Sequence, residues 1–507
     1  MTRNSTIRNI VSSIVLQIIT AISGLILPHF FISFYGSTIN GMVSSITQFL
    51  SYLALVEAGI SASAVVELYG YLEKRDEQGR NYILSATKHF YFKSGILYLL
   101  LLLVLVLIYP QIIGDQVNRM TSVFMIAILA ASNLIDYFVL GKYRVLLSAD
   151  QRVYVLNNIQ SIGTIFNIVV SVLLMFLEQD IILVKLAETV IYACRAIIVI
   201  IYVGHHYNNI QFGLETANDA LPQRWNALFH QIVGVICNNT DIVLITICLG
   251  ARSLAEASVY YVYNLVASMF TSLSNSISVA IIPTFGKMYA SDREDELERL
   301  YDDFEFLFFI LIFTLYSCMF LLLVPFVRIY TMNATDVEYV RRYLPGLFVI
   351  MGLVQNIRIP SLSMICAAGH YKQTQWRAFI EAVINLSVSL ALIFKFGIAG
   401  AVIGTICSYT YRSTDSIFYC RRFFKNQTIK TTLVRLTRNV IIMLTLYTCI
   451  NRNKINVVNW TSFFGNGTIL FLVCFFSFAG INYAFERTRF QRHYAEIVQF
   501  LHRRGGV

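Results

Sequence analysis

Charge is scarce in this chain. Only 13% of its 507 residues are Asp, Glu, Lys or Arg, against about 25% in an ordinary soluble domain. A water-exposed surface over most of the sequence is thereby excluded. Chemical fingerprints are missing as well. No G-x-x-x-x-G-K, C-x-x-C, H-E-x-x-H or G-x-S-x-G occurs, so phosphate loops, paired-cysteine sites, zinc-protease helices and hydrolase elbows have no support. The nine cysteines show no pairing pattern. Cys237, Cys248, Cys318, Cys407 and Cys474 lie in or beside apolar blocks and read as small packing residues, neither disulfides nor metal ligands. No cofactor is expected.

What is abundant is apolar sequence, 57% of the chain. It comes in blocks of about 18 to 28 residues, the length of a helix that crosses a ~30 Å hydrocarbon core. Fourteen spans are expected, near 10–34, 42–66, 92–113, 121–141, 154–177, 181–203, 227–249, 257–284, 305–330, 343–366, 375–395, 398–420, 434–450 and 464–485. Arg3 and Arg8 precede the run Ile10–Phe34, which is too long for a signal core and lacks an A-x-A exit, so it reads as the first span. The net charge of +10 points to topology and not to nucleic acid, because the excess sits between apolar blocks. With the N-terminus inside, 27 of the 39 Lys and Arg residues fall on the inner side and eight on the outer, while four lie within spans. That asymmetry predicts an even span count with both ends cytoplasmic. The segment 486–507 carries Phe490, Tyr494, Ile497, Val498 and Leu501 on one face among arginines. It suits either a helix on an anionic surface or a solvated tail.

The chain also repeats itself at an offset of about 215 residues. Gly36 and Gly70 recur as Gly250 and Gly286, each second glycine followed by an acidic-basic loop, Glu73–Glu77 and Asp292–Glu296. Leu147–Arg152 matches Cys366–Lys372, Asn167 matches Asn385, and Arg195 matches Arg412. An offset of six spans gives both halves one orientation, hence parallel repeats. The expected division is a six-helix lobe at 1–210, a second at 211–425, two extra helices at 426–485 and a basic tail at 486–507.

Six plus six plus two spans, with Tyr35-Gly36, Asn40-Gly41, Tyr52–Ile60, the turns before spans 5 and 11, and Phe396–Gly404 opening span 12, resemble the polysaccharide flippases of the multidrug/oligosaccharidyl-lipid/polysaccharide exporter superfamily. The resemblance implies an all-α integral membrane protein that works by alternating access. It implies a transporter, not an enzyme, whose cargo is an undecaprenyl-pyrophosphate-linked oligosaccharide moved outward across a bacterial plasma membrane. Spans 13 and 14 would form a groove for the lipid tail. Membrane lipids, and with them a polysaccharide polymerase and glycosyltransferases, are the implied partners. Flippases of peptidoglycan precursors carry arginines within spans 1 and 8, where this chain has His29 and Asn264 or Asn275. Surface polysaccharide is therefore the expected product.

Polar residues at bilayer depth are costly and mark pathways. Arg358, with Gln355 and Asn356 before it and Pro360 after it, offers a bidentate site for a pyrophosphate, or else an ion pair with Glu57 or Asp136. Pro360 can break the helix there. Asn238, Asn239, Thr240 and Asp241 cover more than a turn of span 7, suiting sugar hydroxyls and a cation, or else interhelical hydrogen bonds. His29 follows Pro28, where a kink would turn it inward, against the plainer reading of a packed histidine. Glu57, Asp136, Glu188 and Glu381 are the other intramembrane acids; Asp241, Glu57, Asp136 and Glu381 are the coupling-ion candidates. Arg195 and Arg412 are expected to snorkel to the inner surface. A cation antiporter of the same architecture is the alternative function. A membrane glycosyltransferase or polymerase is the third, disfavoured because no outer loop exceeds about 20 residues, leaving little room for a catalytic domain on that side.

Overall fold

A computed structural model describes residues 3–207, 209–214, 224–291, 293–425, 429–451, 457 and 459–486. The tail beyond Glu486, with its expected surface helix, lies outside the described residues. Helices make up the fold, and no strand occurs among the described residues. In chain order they are α1 (Arg3–Leu53), α2 (Ile60–Glu73), α3 (Glu77–Ile113), α4 (Arg119–Ile135), α5 (Gly141–Ala149), α6 (Val153–Phe176), α7 (Ile181–His206) and α8 (Arg224–Cys248). There follow α9 (Ser253–Ala290), α10 (Glu294–Tyr330), α11 (Leu344–Ile357), α12 (Ile359–Ala367), α13 (Tyr371–Phe396), α14 (Ile398–Cys420), α15 (Ile429–Asn451) and α16 (Trp460–Phe485).

Among the described residues, twelve helical stretches are long and apolar enough to cross a membrane. As a single rod, α1 would run about 75 Å at 1.5 Å per residue, far more than a bilayer core. Gly36 divides it, at φ 81 and ψ 172, where only glycine is unstrained. Counting α1 as two crossings and adding α14, whose second half holds Arg412 and Asp415, gives fourteen membrane helices. The chain is an all-α multi-pass membrane protein. Outward faces of α3 and α6 carry Leu100, Leu103, Leu107, Phe166 and Val169, each at least half exposed; such apolar surface suits lipid and not water. Helix starts are set by local caps: Asp76 accepts from the Gly79 N–H, Asn118 from that of Met120, and Asn459 exchanges bonds with Ser462.

Two local features depart from the sequence reading. Residues 142–149, expected in an inner loop, continue the fourth span as α5, joined to α4 by a π-helical turn at Asp136–Leu140. The dihedrals of α1 stay helical through Pro28 and leave the helical range only at Gly36.

Turns separated by the repeat offset make similar hydrogen bonds. After α5 the amide of Arg152 donates to the carbonyl of Leu147 at 2.8 Å, and 218 residues later His370 donates to Ile365 at 3.1 Å. Gln151 and Gly369, equivalent at that offset, both hold positive φ, 59 and 71. The turns after α2 and α9 match likewise: Asp76 donates to Tyr71 and Arg293 to Met288.

By packing, the chain forms two compact units. The first comprises the described residues of Met1–Tyr261 with Asn333–Glu338 and Ser389–Ala401. Its core runs through Met42, Leu84, Tyr91, Met125 and Val145–Leu147. Within it Gly41 meets the backbone of Leu254 so closely that a Cβ would lie 1.7 Å from the carbonyl oxygen. The second comprises the described residues of Val262–Met332, Tyr339–Val388 and Val402–Val507. Its axis is α10, buried along most of its length and packed by α11, α15 and α16. These packing units are a different division from the sequence repeats at 1–210 and 211–425, since α8 packs in the first unit.

Candidate functional site

In the second unit the tenth span is interrupted at one residue. Pro360 has no N–H to offer the carbonyl of Asn356, so the helix ends at Ile357 and restarts at Ile359 with Arg358 between. Arg358 Nη1 donates to Glu381 Oε1 on α13. The ring of Tyr409 on α14 lies 4.9 Å from its guanidinium carbon. The other Glu381 oxygen is 3.6 Å from Arg412 Nε. Arg412 Nη1 is 3.2 Å from Asp415, which also accepts from Arg377. Three guanidinium groups, two of them mostly buried, thus converge on two carboxylates. Gln355 bridges the hydroxyls of Thr271 (3.1 Å) and Tyr409 (3.3 Å). Asn356 donates to Tyr316 at 2.9 Å.

In the first unit the second span is interrupted between α1 and α2, where Ala54–Glu57 forms a 3-10 turn and Gly59 turns left-handed. Glu57 ends that turn, and its Oε2 is buried with no hydrogen-bond partner among the described residues. Asp136, at the π turn, accepts from Tyr192 at 2.7 Å and pairs with Arg144 at 3.4 Å. Repeat equivalence holds here too. Leu140 of the π turn and Arg358 are 218 residues apart, and Tyr192 and Tyr409 are 217 apart. The fourth and tenth spans are therefore both interrupted at matching places, each beside a tyrosine from the sixth or twelfth span. The first break carries an acid and the second a base.

The remaining candidates separate. Asp241 accepts from Tyr260 at 2.7 Å and Thr240 bonds Tyr52 at 2.6 Å, both buried. Asn238 is exposed and donates to its own helix at Gly234, while Asn239 is half-buried. His29 is half-buried, its ring edge-on to Phe30 at 5.6 Å. Glu188 pairs with Lys185 at 3.0 Å. Arg358 pairs with Glu381 and not with Glu57 or Asp136, because α13 presents its acid directly across from the break. Arg412 does not snorkel; it is buried between its two acids. Arg195 lies across Gly163, where a Cβ would come 2.0 Å from its Nε.

Sequence reasoning overlooked Tyr409, Asp415 and a second cluster. The signal for Asp415 was its i,i+3 spacing from Arg412. The second cluster centres on Arg435 of α15, 1% exposed, which pairs with Glu305 (2.9 Å), Asp302 (3.0 Å) and Glu486 (2.9 Å). Glu486 also takes Arg438 at 2.7 Å. Above this anchor α15 and α16 enclose an apolar groove of about 810 Å³, lined by Leu433, Ile441, Leu446, Ile481 and Phe485, with Lys430 and Arg438 as its cations. All nine cysteines are free. No cluster of His, Cys, Asp and Glu suited to a metal occurs among the described residues.

The described helices form a polytopic all-α membrane fold with charged residues at broken spans, and comparison with solved structures makes the fold specific: it is the fold seen in MOP-superfamily transporters. It is similar to the lipid II flippase MurJ in an inward closed conformation, at 13% identity over 94% of this chain and 99% of that one, TM-score 0.65. It is also similar to an inward-facing multidrug resistance MATE family transporter, at 11% identity over 80% of this chain and 94% of that one, TM-score 0.62. A MOP superfamily transporter from Pyrococcus furiosus, described as having a binding pocket of reverse polarity, aligns at 13% identity over 83% and 95%, TM-score 0.60. No family model and no curated protein matches the sequence.

Proposed function

We propose that this protein flips an undecaprenyl-pyrophosphate-linked oligosaccharide from the inner to the outer leaflet of a bacterial plasma membrane, by alternating access, with both chain ends in the cytoplasm. The cargo would serve surface polysaccharide biosynthesis. The observation that carries the reading is the arginine cluster at the break in the tenth span. It gathers three guanidinium groups at membrane depth, Arg358 and Arg412 mostly buried, and such a gathering of cations suits an anionic group. A pyrophosphate matches the planar fork of Arg358. The groove between α15 and α16 supports a lipid-borne cargo, since it offers apolar length beside Lys430 and Arg438. Coverage leans the same way: the lipid II flippase aligns over 94% of the chain and the MATE transporter over 80%.

The energetics permit an uncoupled cycle. A membrane potential, inside negative, is worth ~2.3 kcal/mol per charge per 100 mV, so about two negative charges move outward downhill. Should a cation be coupled, Glu57 is the strongest of the four candidate acids, because Asp136, Asp241 and Glu381 each already hold a hydrogen-bond or ion-pair partner.

The test is the fate of undecaprenyl-linked oligosaccharide in cells lacking the gene. Accumulation on the inner leaflet with loss of surface polysaccharide is expected. Arg358→Ala should reproduce the defect at normal protein level, because Arg412 still neutralises Glu381 when Arg358 is gone. A second reading, a multidrug or cation antiporter, is favoured by the acid pair Glu57 and Asp136 beside one arginine. It predicts normal polysaccharide and raised sensitivity to organic cations instead.

A further inference from the structure

We infer that Tyr409 is the residue that holds Arg358 in place while the cargo's anion displaces it from Glu381; this deepens the anion-site reading and rests on it. Arg358 and Arg412 both approach Glu381, one at each carboxylate oxygen. An anion can therefore draw Arg358 away without stranding a buried carboxylate, since Arg412 stays. What would be lost in that exchange is the orientation of Arg358, a long side chain at a helix break with one charged partner removed. Tyr409 supplies a hold that does not depend on Glu381. The guanidinium carbon lies over its ring at 4.9 Å, a cation–π contact that needs none of the arginine's N–H groups as donors to the ring and so does not compete with an anion for them. Its hydroxyl is fixed from behind by Gln355, which Thr271 fixes in turn. Tyr409 is 3% exposed, so the ring cannot swing out with the arginine. The repeat reinforces the assignment. At the matching position Tyr192 serves the charged residue of the other break, Asp136, through its hydroxyl. One tyrosine per repeat attends one charged break, by ring face where the charge is positive and by O–H where it is negative.

Tyr409 is thus a positioning residue, and the ring is the part that matters. The purified full-length protein in detergent is titrated with inorganic diphosphate, with sulfate as the control anion. Tyr409→Phe should bind within about twofold of the unaltered protein, whereas Tyr409→Met should bind about five- to tenfold more weakly, as expected for loss of a partly desolvated cation–π contact. Progressively fluorinated phenylalanine at 409 drains the ring face without changing its shape, and it should weaken binding stepwise even if Tyr409→Met does not fold. Equal binding by the fluorinated series, or a loss in Tyr409→Phe as large as in Tyr409→Met, would overturn the inference while leaving the anion site standing. Absence of diphosphate binding by the unaltered protein would overturn the anion site and this inference with it.

Discussion

Replacing Arg435 by alanine should be among the most destabilising single changes available in this chain. Its guanidinium is 1% exposed and sits among Glu305, Asp302 and Glu486, at 2.9, 3.0 and 2.9 Å. Glu305 is itself 1% exposed, and without Arg435 its remaining described hydrogen bonds are from the hydroxyls of Thr432 and Tyr301, with Arg421 held nearby on Thr432. Breaking a buried pair by removing one partner costs about 3–5 kcal/mol, or roughly a 150- to 4,000-fold shift in the folding equilibrium at 1.4 kcal/mol per decade. Removing both charges is a different matter, because the desolvation of Glu305 disappears together with the attraction. Arg435→Met with Glu305→Gln should therefore recover a large part of the loss, with a coupling between the two sites of about 1–3 kcal/mol. Unfolding in mixed micelles of rising denaturing-detergent content, followed by tryptophan and tyrosine fluorescence, reads all four members of the cycle. Arg435→Ala within about 1 kcal/mol of the unaltered protein, or a double variant as unstable as the two single losses added, would refute the reasoning. Because α15 carries Arg435 and also lines the groove, the single variant should loosen the groove as well.

Other outcomes follow from particular contacts. Gly36→Ala must hold φ 81 and place a Cβ 3.1 Å from an Asp336 oxygen, which should cost about 1–3 kcal/mol and lower the folded yield in the same micelle assay. Asp336→Ala removes the acceptor of both the Ser37 N–H and its hydroxyl, each at 2.7 Å, and should lose about 1 kcal/mol, as helix caps do. Gly41→Ala should be worse tolerated than either, since its Cβ meets backbone and not a side chain. In a background without native cysteines, single cysteines at Asn118 and Asn333 should react with an impermeant maleimide added outside intact cells. One at Gln78 should react only after permeabilisation; labelling of Gln78 from outside would reverse the proposed orientation.

Much of the architecture was legible because the bilayer imposes it locally. Each crossing needs about 20 apolar residues and must satisfy its own backbone hydrogen bonds, so the lengths of the blocks predict the helices, and Gly36 and Pro360 predict two of the interruptions. The repeated turns were legible for the same reason: a capped helix end is written in neighbouring residues, as at Gln151 and Gly369. The π turn at Asp136–Leu140 has no such mark. It inserts one extra residue into a regular apolar run, and nothing in the composition of that run distinguishes it.

The sequence by itself determined that this is a membrane protein of about fourteen helices, with a rare arginine beside a helix-breaking proline. Only the tertiary structure decided which charges meet. Arg358 finds Glu381, 23 residues on, and Arg435 finds Glu305, 130 residues back. The rotation of each helix about its axis selects those partners, through packing with neighbours that a one-dimensional hydropathy pattern does not encode. In low dielectric that choice sets how strongly each buried charge is held.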